Sequence, residues 1–454
     1  MNYSLSDLAL RFQGNPAFQA DSEPLITGFA TDNREVKPGD LFIAIKGERV
    51  DGHAYVEDAF SRGAVAALVE DSWEPRLDAG ATIAVPNVVE ALANMARSFR
   101  QEFAGPVIGI TGSAGKTTTK EFCAAACASL GEVLKTQGNR NSEFTGPLLW
   151  PEMTPMTKVA ITEMGMRGFG QIAHLASFNL PNIAVITNIG YAHLEMVGSR
   201  EGIAKAKGEL IEALPEDGTA ILYSEDEYLG NLIALAGDRR IRLFGQGGNA
   251  DCQVTEYQAL NWTSARIGGV LDGAKWEAVM PTVGRHLANN AAAAILAATE
   301  AGASLTDACN GLANAVLPPL RMEIKGFQGA TLVMDNYNSN PPAVLGALQT
   351  LEEVPCAGRR VAVIGTMREL GEESEESHRS IGRRLSKAKI DRIIVFGDET
   401  ELIQEEFLRR GGASDRLVKV ESLGAVRGEL SGFGEGDTIL VKGSRALELE
   451  RVFE

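Results

Sequence analysis

A glycine-rich segment constrains the fold of this chain more than any other feature. It reads Gly109-Ile-Thr-Gly-Ser-Ala-Gly-Lys-Thr-Thr-Thr119, follows the apolar run 106–108 and precedes a helix-like stretch, Glu121 to Leu130. A strand, a glycine turn and a helix in this order predict a unit of a parallel α/β sheet. Glycines let backbone amides approach phosphate oxygens, and the start of the helix adds partial positive charge. The segment therefore predicts a site for a nucleoside triphosphate.

Two side chains in this segment suit a magnesium nucleotide. Lys116 would reach the outer phosphates, and the Thr117 hydroxyl would ligate magnesium. The usual Gly-x-x-x-x-Gly-Lys-Ser/Thr spacing needs a glycine where this chain has Ile110, so the shorter Gly-x-x-Gly-Lys-Thr remains. A glycine turn before a helix with an exposed lysine is the alternative interpretation of so short a motif.

The apolar pattern of the first hundred residues predicts a small α/β unit. Apolar strands at Leu41–Ile45 and Val65–Val69 flank a helical stretch near Tyr55–Arg62, and a longer helix covers about Val89–Phe103. The turn pair Gly105-Pro106 then marks a boundary just before the phosphate loop.

Two further series of strands and helices follow. The central strands are Val159–Thr162, Ile183–Thr187 and Ala220–Tyr223, and the later ones are Thr331–Met334, Arg360–Ile364, Arg392–Phe396 and Thr438–Val441. Short, continuous apolar strands are typical of parallel sheets covered on both faces. We therefore predict an α/β protein with three domains: a small N-terminal α/β domain (1–104), a central parallel-sheet, P-loop ATPase-like domain (105–315) and a C-terminal doubly wound, Rossmann-like domain (316–454).

Composition narrows the range of binding partners and the cellular compartment. The formal net charge of −17 argues against nucleic acids and anionic membranes as partners. The five cysteines form no metal-like C-x-x-C pair and suit a reducing compartment. No basic and apolar leader opens the sequence, and no apolar run is long enough to span a membrane. The sequence predicts a cytoplasmic protein without stable membrane insertion, and we expect a monomer.

Polar residues follow two of the central strands directly. The strand Val159–Thr162 ends at Glu163, and the strand Ile183–Thr187 is followed by Asn188 and then by His193. Ligands of parallel α/β sheets lie at the carboxyl ends of strands, and oxygen ligands dominate magnesium sites. These side chains therefore suit a magnesium-nucleotide site. From spacing alone, Glu163 could instead cap a helix and His193 could be an ordinary loop histidine.

Two other polar segments leave their roles open. The stretch 202–210 carries Lys205 and Lys207, and a solvated helix face accounts for its spacing. The stretch 136–143 is polar and contains a glycine, so it is either a substrate loop or a turn.

Together these segments resemble the Mur ligases, the ATP-dependent ligases of peptidoglycan synthesis. Residues 111–118 are similar to the family's TGSxGKTT loop, residues 187–194 to its TNIGxAHL motif and residues 203–210 to its IAKAKGE(I/L) segment. Residues 31–47 are similar to D(S/T)RxVxPGDLFxAxxG, which faces the uridine nucleotide in the family. The resemblance covers essentially the whole chain.

Three motifs favour the branch of the family that adds a dipeptide. Residues 335–341 are similar to its D(S/N)YNANP, residues 365–372 to its GxMxELGE and residues 441–445 to its VKGSR, whereas the DNPR motif of the branch that adds diaminopimelate has no counterpart. The resemblance implies that D-alanyl-D-alanine is joined to UDP-N-acetylmuramoyl-tripeptide through an acyl phosphate, which gives the pentapeptide, ADP and phosphate. The alternatives are a ligase that adds one amino acid to UDP-N-acetylmuramoyl-dipeptide, a folylpolyglutamate synthetase relative and a non-catalytic nucleotide switch.

The resemblance also implies roles for individual residues. Catalytic roles fall to Lys116, Lys207 and His193. The ATP-binding set is Gly112, Ser113, Ala114, Gly115, Lys116, Thr117, Thr118, Asn290, Arg321 and Asp335. Two magnesium ions are implied, with the metal set Thr117, Glu163, His193 and a carboxylated Lys207, for which Lys205 is the alternative. The N-terminal domain would hold the UDP substrate, and the C-terminal domain would hold the dipeptide and complete the ATP site. The substrate-binding set is Asp32, Asn33, Arg34, Lys46, Gly47, Asn139, Asn141, Asn338, Asn340, Lys442 and Ser444.

The chain departs from the family pattern at two places. Leu287 replaces the first asparagine of the GxHNxxNA motif, which leaves Asn289 as a substitute polar contact. Residues 139–147 differ at several positions from GNxNNExGxPL. Closure of the flanking domains would exclude water from the acyl phosphate, and we predict a hinge near Leu317 to Leu320.

Overall fold

A computed structural model describes residues 2–18, 23–47, 50–74, 80–192 and 194–454 of this chain. The predicted site residue His193 lies outside the described residues. Among the described residues, no helix combines the length and the apolar character needed to cross a membrane.

The N-terminal part forms a small α/β unit. Its elements are β1 (Tyr3–Ser4), α1 (Leu5–Phe12), β2 (Asn15–Ala17), β3 (Leu25–Ile26), β4 (Gly28–Ala30), β5 (Asp40–Ile43), α2 (Val56–Ser61), β6 (Ala66–Glu70), β7 (Ala81–Val85) and α3 (Val88–Gln101). The main sheet has the order β2-β7-β6-β5-β4, in which β4 to β7 are parallel and β2 is antiparallel at one edge. Helix α3 begins at an asparagine cap, because the Asn87 side chain accepts a hydrogen bond from the Glu90 amide.

The central part is built on a long mixed sheet. Its elements are β8 (Val107–Thr111), α4 (Lys116–Ala126), β9 (Glu132–Lys135), β10 (Thr157–Glu163), α5 (Gln171–Asn179), β11 (Ile183–Ile186), α6 (Leu194–Val197), α7 (Arg200–Glu212), β12 (Thr219–Tyr223), α8 (Leu229–Ala236), β13 (Arg240–Gly245), β14 (Cys252–Asn261), β15 (Ser264–Leu271), β16 (Ala274–Met280), α9 (Arg285–Glu300) and α10 (Leu305–Leu312). The order is β16-β15-β14-β13-β12-β11-β8-β10-β9. Neighbours from β9 to β14 are parallel, which confirms the predicted parallel sheet.

An antiparallel extension of this sheet was not predicted. Strands β14, β15 and β16 pair antiparallel, and the turn between β15 and β16 is Asp272-Gly273, with both residues at positive φ. Aspartate-glycine is a strong hairpin signal because such a turn needs positive φ at both positions. Strand β16 also alternates buried and exposed residues, as expected where one face of an antiparallel sheet meets solvent.

The C-terminal part is a second α/β sheet. Its elements are β17 (Glu323–Phe327), β18 (Ala330–Met334), α11 (Pro341–Glu353), β19 (Arg360–Gly365), α12 (Ser374–Ser386), β20 (Arg392–Phe396), α13 (Thr400–Arg409), β21 (Leu417–Val420), α14 (Leu423–Leu430) and β22 (Thr438–Lys442). The order is β17-β18-β22-β19-β20-β21, parallel except for the β17–β18 hairpin. The predicted Rossmann-like fold is confirmed.

The hydrophobic cores run across the connections between these parts. Helix α3 packs on α5 and on the 3-10 turn Gly146–Glu152, and the Arg100 guanidinium donates to the carbonyls of Asn179 and Leu180. On the other side, α9 and α11 belong to one buried cluster. The predicted boundaries at 104 and 315 fall in the connectors after α3 and after α10. Because β10, β8 and β11 are parallel neighbours, their carboxyl ends lie side by side at one edge of the central sheet.

Candidate active site

The phosphate loop is shorter than the sequence motif suggests. Strand β8 continues to Thr111, and α4 begins at Lys116, so the turn comprises only residues 112–115. Ile110 is a fully buried residue of β8 that pairs with Glu163 of β10. An apolar residue therefore suits position 110 better than a glycine, because this position belongs to a central strand.

Close packing requires the glycines at both ends of the turn. A Cβ atom on Gly112, where φ is +151°, would lie 1.8 Å from the Thr187 hydroxyl oxygen. A Cβ atom on Gly115, where φ is +81°, would lie 2.7 Å from Nδ2 of Asn290. Asn290 thus lies beside the loop, and its contact with the nucleotide stays a prediction.

The residues after β11 clamp the loop. Asn188 accepts the Ala114 amide on Oδ1 and donates from Nδ2 to the Ala114 carbonyl, both at 3.0 Å. The Asn188 carbonyl accepts the Ser113 amide at 3.0 Å, and Thr187 Oγ1 donates to the Ala114 carbonyl at 2.5 Å. The Ser113 and Ala114 amides therefore already have partners. The amides of the first turn of α4 are left for an anion, because the first amides of a helix have no intrahelical partner.

Lys116 lies inside this loop and is folded back on it. Its Nζ donates to the Gly112 carbonyl at 2.7 Å. Burial lowers the pKa of Lys116, and the Glu163 carboxylate opposes that effect. Its amine is therefore held where the phosphates of a bound nucleotide would lie.

Glu163 and Thr117 lie in contact beside the phosphate loop. Glu163 Oε1 accepts hydrogen bonds from Thr117 Oγ1 at 3.2 Å and from Asn141 Nδ2 at 2.8 Å. Glu163 Oε2 is buried, accepts no hydrogen bond among the described residues and lies 3.7 Å from Lys120 Nζ. A buried carboxylate with one oxygen beside a hydroxyl and the other without a hydrogen bond has the chemistry that a hard cation prefers. The residues present therefore fit the implied ion.

The two candidate lysines of α7 differ in burial. Lys207 is 1% exposed, whereas Lys205 is exposed. Desolvation lowers the pKa of Lys207 well below its usual range, and the positive charge of Lys116 adds to this shift. No hydrogen bond or salt bridge to Lys207 Nζ occurs among the described residues, so burial without a counter-charge favours the neutral amine.

A residue of the C-terminal part reaches the phosphate loop directly. Arg321 Nη2 donates to Thr117 Oγ1 at 3.0 Å, and its guanidinium lies 4.3 Å from the centre of the Tyr337 ring. The flanking residues Leu320 and Met322 both have positive φ, an unfavourable conformation for non-glycine residues. This strained connector places the guanidinium on the predicted metal ligand.

Other predicted C-terminal residues lie at the carboxyl ends of β18 and β22. Lys442 Nζ contacts Asp335 Oδ2 at 3.0 Å and donates to the Asn338 carbonyl at 2.6 Å. The remaining two have structural hydrogen bonds: Asn340 caps α11, and Ser444 Oγ accepts the Arg368 amide at 3.0 Å.

The predicted UDP-substrate residues form a separate group. Asp32 caps a 3-10 turn at Asn33–Glu35, and the Arg34 guanidinium lowers the pKa of Asp32 to about 2. Lys46 and Gly47 are exposed. No hydrogen bond or salt bridge joins this group to the phosphate loop within the described parts of the chain.

The polar loop after β9 is only partly brought into the site. Asn141 contacts Glu163, whereas the Asn139 carbonyl accepts the Asn141 amide at 2.8 Å. Leu287 is buried in the core, and Asn289 Nδ2 lies 3.4 Å from the Tyr223 hydroxyl. The sequence offered no signal for Asn188 as the clamp of the loop, because its partners are 74 residues away in the chain.

Comparisons with known proteins match the whole architecture. Three family models align in chain order: the Mur ligase family catalytic domain with residues 25–100, the Mur ligase middle domain with residues 110–298, and the Mur ligase glutamate ligase domain with residues 320–445. A UDP-N-acetylmuramoyl-tripeptide–D-alanyl-D-alanine ligase of Bacillus subtilis is 36% identical over 99% of this chain and 97% of its own length. The chain belongs to the Mur ligase family.

Solved structures of other Mur ligases share this fold. MurF from Acinetobacter baumannii superposes with a TM-score of 0.87 at 28% identity and covers 100% of this chain and 98% of its own. MurF from Thermotoga maritima, solved in complex with ADP, superposes with a TM-score of 0.80 at 31% identity, covering 93% of this Mur ligase and 95% of its own chain. The fold predicted from the sequence is therefore that of the family.

Proposed function

We propose that this Mur ligase joins D-alanyl-D-alanine to UDP-N-acetylmuramoyl-tripeptide at the expense of ATP. One observation carries the proposal: the full-length similarity, at 36% identity, to ligases named for this reaction. In this chain, the phosphate loop, Glu163 and Lys207 lie near the carboxyl ends of the central strands. The N-terminal unit (1–104) would hold the UDP group, the central unit (105–315) would hold ATP, and the C-terminal unit (316–454) would hold the dipeptide.

The chemistry needs charge stabilisation rather than a protein nucleophile. The terminal carboxylate of the tripeptide attacks the γ-phosphorus of ATP, and the bond between that phosphorus and ADP breaks. The dipeptide amine then attacks the acyl phosphate carbon, phosphate leaves, and the nitrogen loses a proton. Lys116, Arg321 and the first amides of α4 supply positive charge to the phosphates throughout.

Magnesium fits beside these groups. Thr117 and Glu163 would hold it, and its chemistry when bound is to neutralise phosphate charge. Arg321 donates to Thr117, so its guanidinium would lie beside a phosphate that the ion holds at this position.

Lys207 supports a further part of the proposal, its carboxylation. A neutral amine is the form that reacts with carbon dioxide, and burial favours the neutral form of Lys207. The product is an anionic carbamate, whose negative charge the nearby positive charge of Lys116 would stabilise. Lys205 is exposed, and its environment offers no such advantage.

Phosphate release tests the function. We expect release of phosphate from ATP only when UDP-N-acetylmuramoyl-tripeptide and D-alanyl-D-alanine are both present, with formation of the pentapeptide checked by mass spectrometry. Release with UDP-N-acetylmuramoyl-dipeptide and a single amino acid would instead identify the other branch of the family. Nucleotide binding without any release would identify a switch.

A further inference from the structure

Lys120 is a buried lysine that the site described above does not use. It follows the phosphate loop by one turn of α4 and is fully buried. Its Nζ donates to the Gly138 carbonyl at 3.1 Å, lies 3.2 Å from Glu121 Oε1 and lies 3.7 Å from Glu163 Oε2. Lysines are almost never fully buried unless they are paired, so these three contacts account for its presence.

The contacts of Lys120 close a ring through the active site. The oxygen of Glu163 that faces away from Lys120 accepts the Asn141 side-chain amide at 2.8 Å. Asn141 belongs to the same loop as Gly138, which Lys120 holds by its carbonyl. Lys120 therefore touches both the predicted metal ligand and the loop that carries the predicted substrate residues Asn139 and Asn141.

The same lysine belongs to a chain of alternating charges. Lys135 pairs with the second carboxylate oxygen of Glu121, and its side chain is 30% exposed. The order from the surface inward is thus Lys135, Glu121, Lys120 and Glu163. Because Lys135 contacts Glu121 but not Glu163, it provides a control that weakens the ion pairs without touching the site.

We propose that Lys120 is a positioning residue that holds Glu163 in place for magnesium and holds the 137–142 loop against it. The inference rests on the proposed function, because it gives Lys120 a role in bringing the peptide carboxylate close to the γ-phosphate. Lys116 also interacts electrostatically with Glu163 and would attract it more effectively in the absence of Lys120. Glu163 would then turn from the metal position toward the phosphate loop.

Magnesium-dependent binding of ADP tests the first half. We expect Lys120→Met to bind ADP as the wild type does in EDTA, because the amides of α4 are intact. The gain in ADP affinity on adding magnesium should fall about 10- to 100-fold, as is usual when a residue that orients a metal ligand is lost. Lys135→Met should keep the wild-type gain. A normal gain in Lys120→Met, or an equal loss in both variants, overturns the inference.

A double-mutant cycle tests the second half. If Lys120 and Asn141 act through one loop, Lys120→Met and Asn141→Ala should each raise the KM for UDP-N-acetylmuramoyl-tripeptide, and the double variant should lose less than the product of the two effects. If the rise in KM of the double variant equals the product of the two single effects, Lys120 and Asn141 are not coupled. Thermal melts establish folding, and Lys120→Gln takes the place of the methionine variant if the latter does not fold. The ADP titration needs no ligation, so an inactive wild type would refute the proposed function and leave this test standing.

Discussion

Burial distinguishes two lysines that are two positions apart on one helix. Lys207 is buried and burial lowers its pKa, which favours the neutral amine, whereas Lys205 is exposed to solvent. We expect Lys207→Ala to lower kcat at least about 100-fold, the usual cost of removing one preorganised charged group from a site. Lys205→Ala should keep wild-type turnover.

Labelling adds a direct check on the same residue. With ¹³C-bicarbonate, a carbamate resonance should be visible by NMR in Lys205→Ala and missing in Lys207→Ala. Short carboxylic acids should restore part of the turnover of Lys207→Ala, because they return a negative charge to the cavity. Wild-type turnover in Lys207→Ala would refute the role of Lys207, and loss of the resonance in Lys205→Ala alone would move carboxylation to the other lysine.

At the scale of elements, the phosphate loop depends on a neighbouring strand end. Asn188→Ala removes two side-chain hydrogen bonds to Ala114, each worth about 1 kcal/mol, and leaves the backbone bond to Ser113. We expect the Kd for ADP to rise about 10-fold or more, since the loop loses its fixed shape. Calorimetric titration of ADP measures this.

Asn182 supplies the matched control for that prediction. It precedes β11, as Asn188 follows it, and its Oδ1 accepts the Val107 amide at 2.8 Å at the opposite end of β8. Asn182→Ala should lower the melting temperature and leave the Kd for ADP unchanged. Equal changes of Kd in the two variants would mean that the effect is general destabilisation rather than loss of the clamp.

Features that the sequence predicts have a signal within a few consecutive residues, whereas most of the others depend on contacts between distant parts of the chain. Continuous apolar runs such as Ile183–Ile186 identify buried strands without reference to the rest of the chain. The fit of Ile110 and the clamp by Asn188 depend on neighbours brought together by folding, so only the structure reveals them. Asp272-Gly273 is different, because aspartate-glycine is itself a local hairpin signal in the sequence.

At the scale of the whole molecule, both flanking parts share a buried core with the centre, and each adds contacts of its own. The N-terminal part shares a continuous core with it and adds guanidinium-to-carbonyl hydrogen bonds from Arg100. The C-terminal part meets it where the His286 ring of α9 faces α11. Burial lowers the pKa of His286 to about 4, so the ring is neutral at pH 7 and does not repel the nearby Lys442.

Glycines on both sides of this ring decide how closely the C-terminal part can approach. A Cβ atom on Gly346 of α11 would lie 2.6 Å from His286 Nδ1, and one on Gly284 would lie 2.8 Å from Cε1 of the same ring. Both glycines approach the Nδ1 and Cε1 atoms of the buried ring, so a methyl group at position 346 must displace either the ring or α11. In Gly346→Ala we therefore expect α11 to be displaced from α9, with an overpacking cost of about 1–3 kcal/mol.

That displacement should weaken nucleotide binding, because it withdraws Arg321 from Thr117. We expect Gly346→Ala to show a larger radius of gyration by small-angle X-ray scattering and a raised Kd for magnesium-ADP. Gly428→Ala is the control: it lies within α14 of the same sheet unit, and an added Cβ meets nothing within 4 Å. In the control, the higher helix propensity of alanine should raise the free energy of unfolding by up to about 1 kcal/mol. Its radius of gyration and its Kd for magnesium-ADP should equal those of the wild type. Identical scattering and affinity in both variants would show that this contact does not govern domain docking.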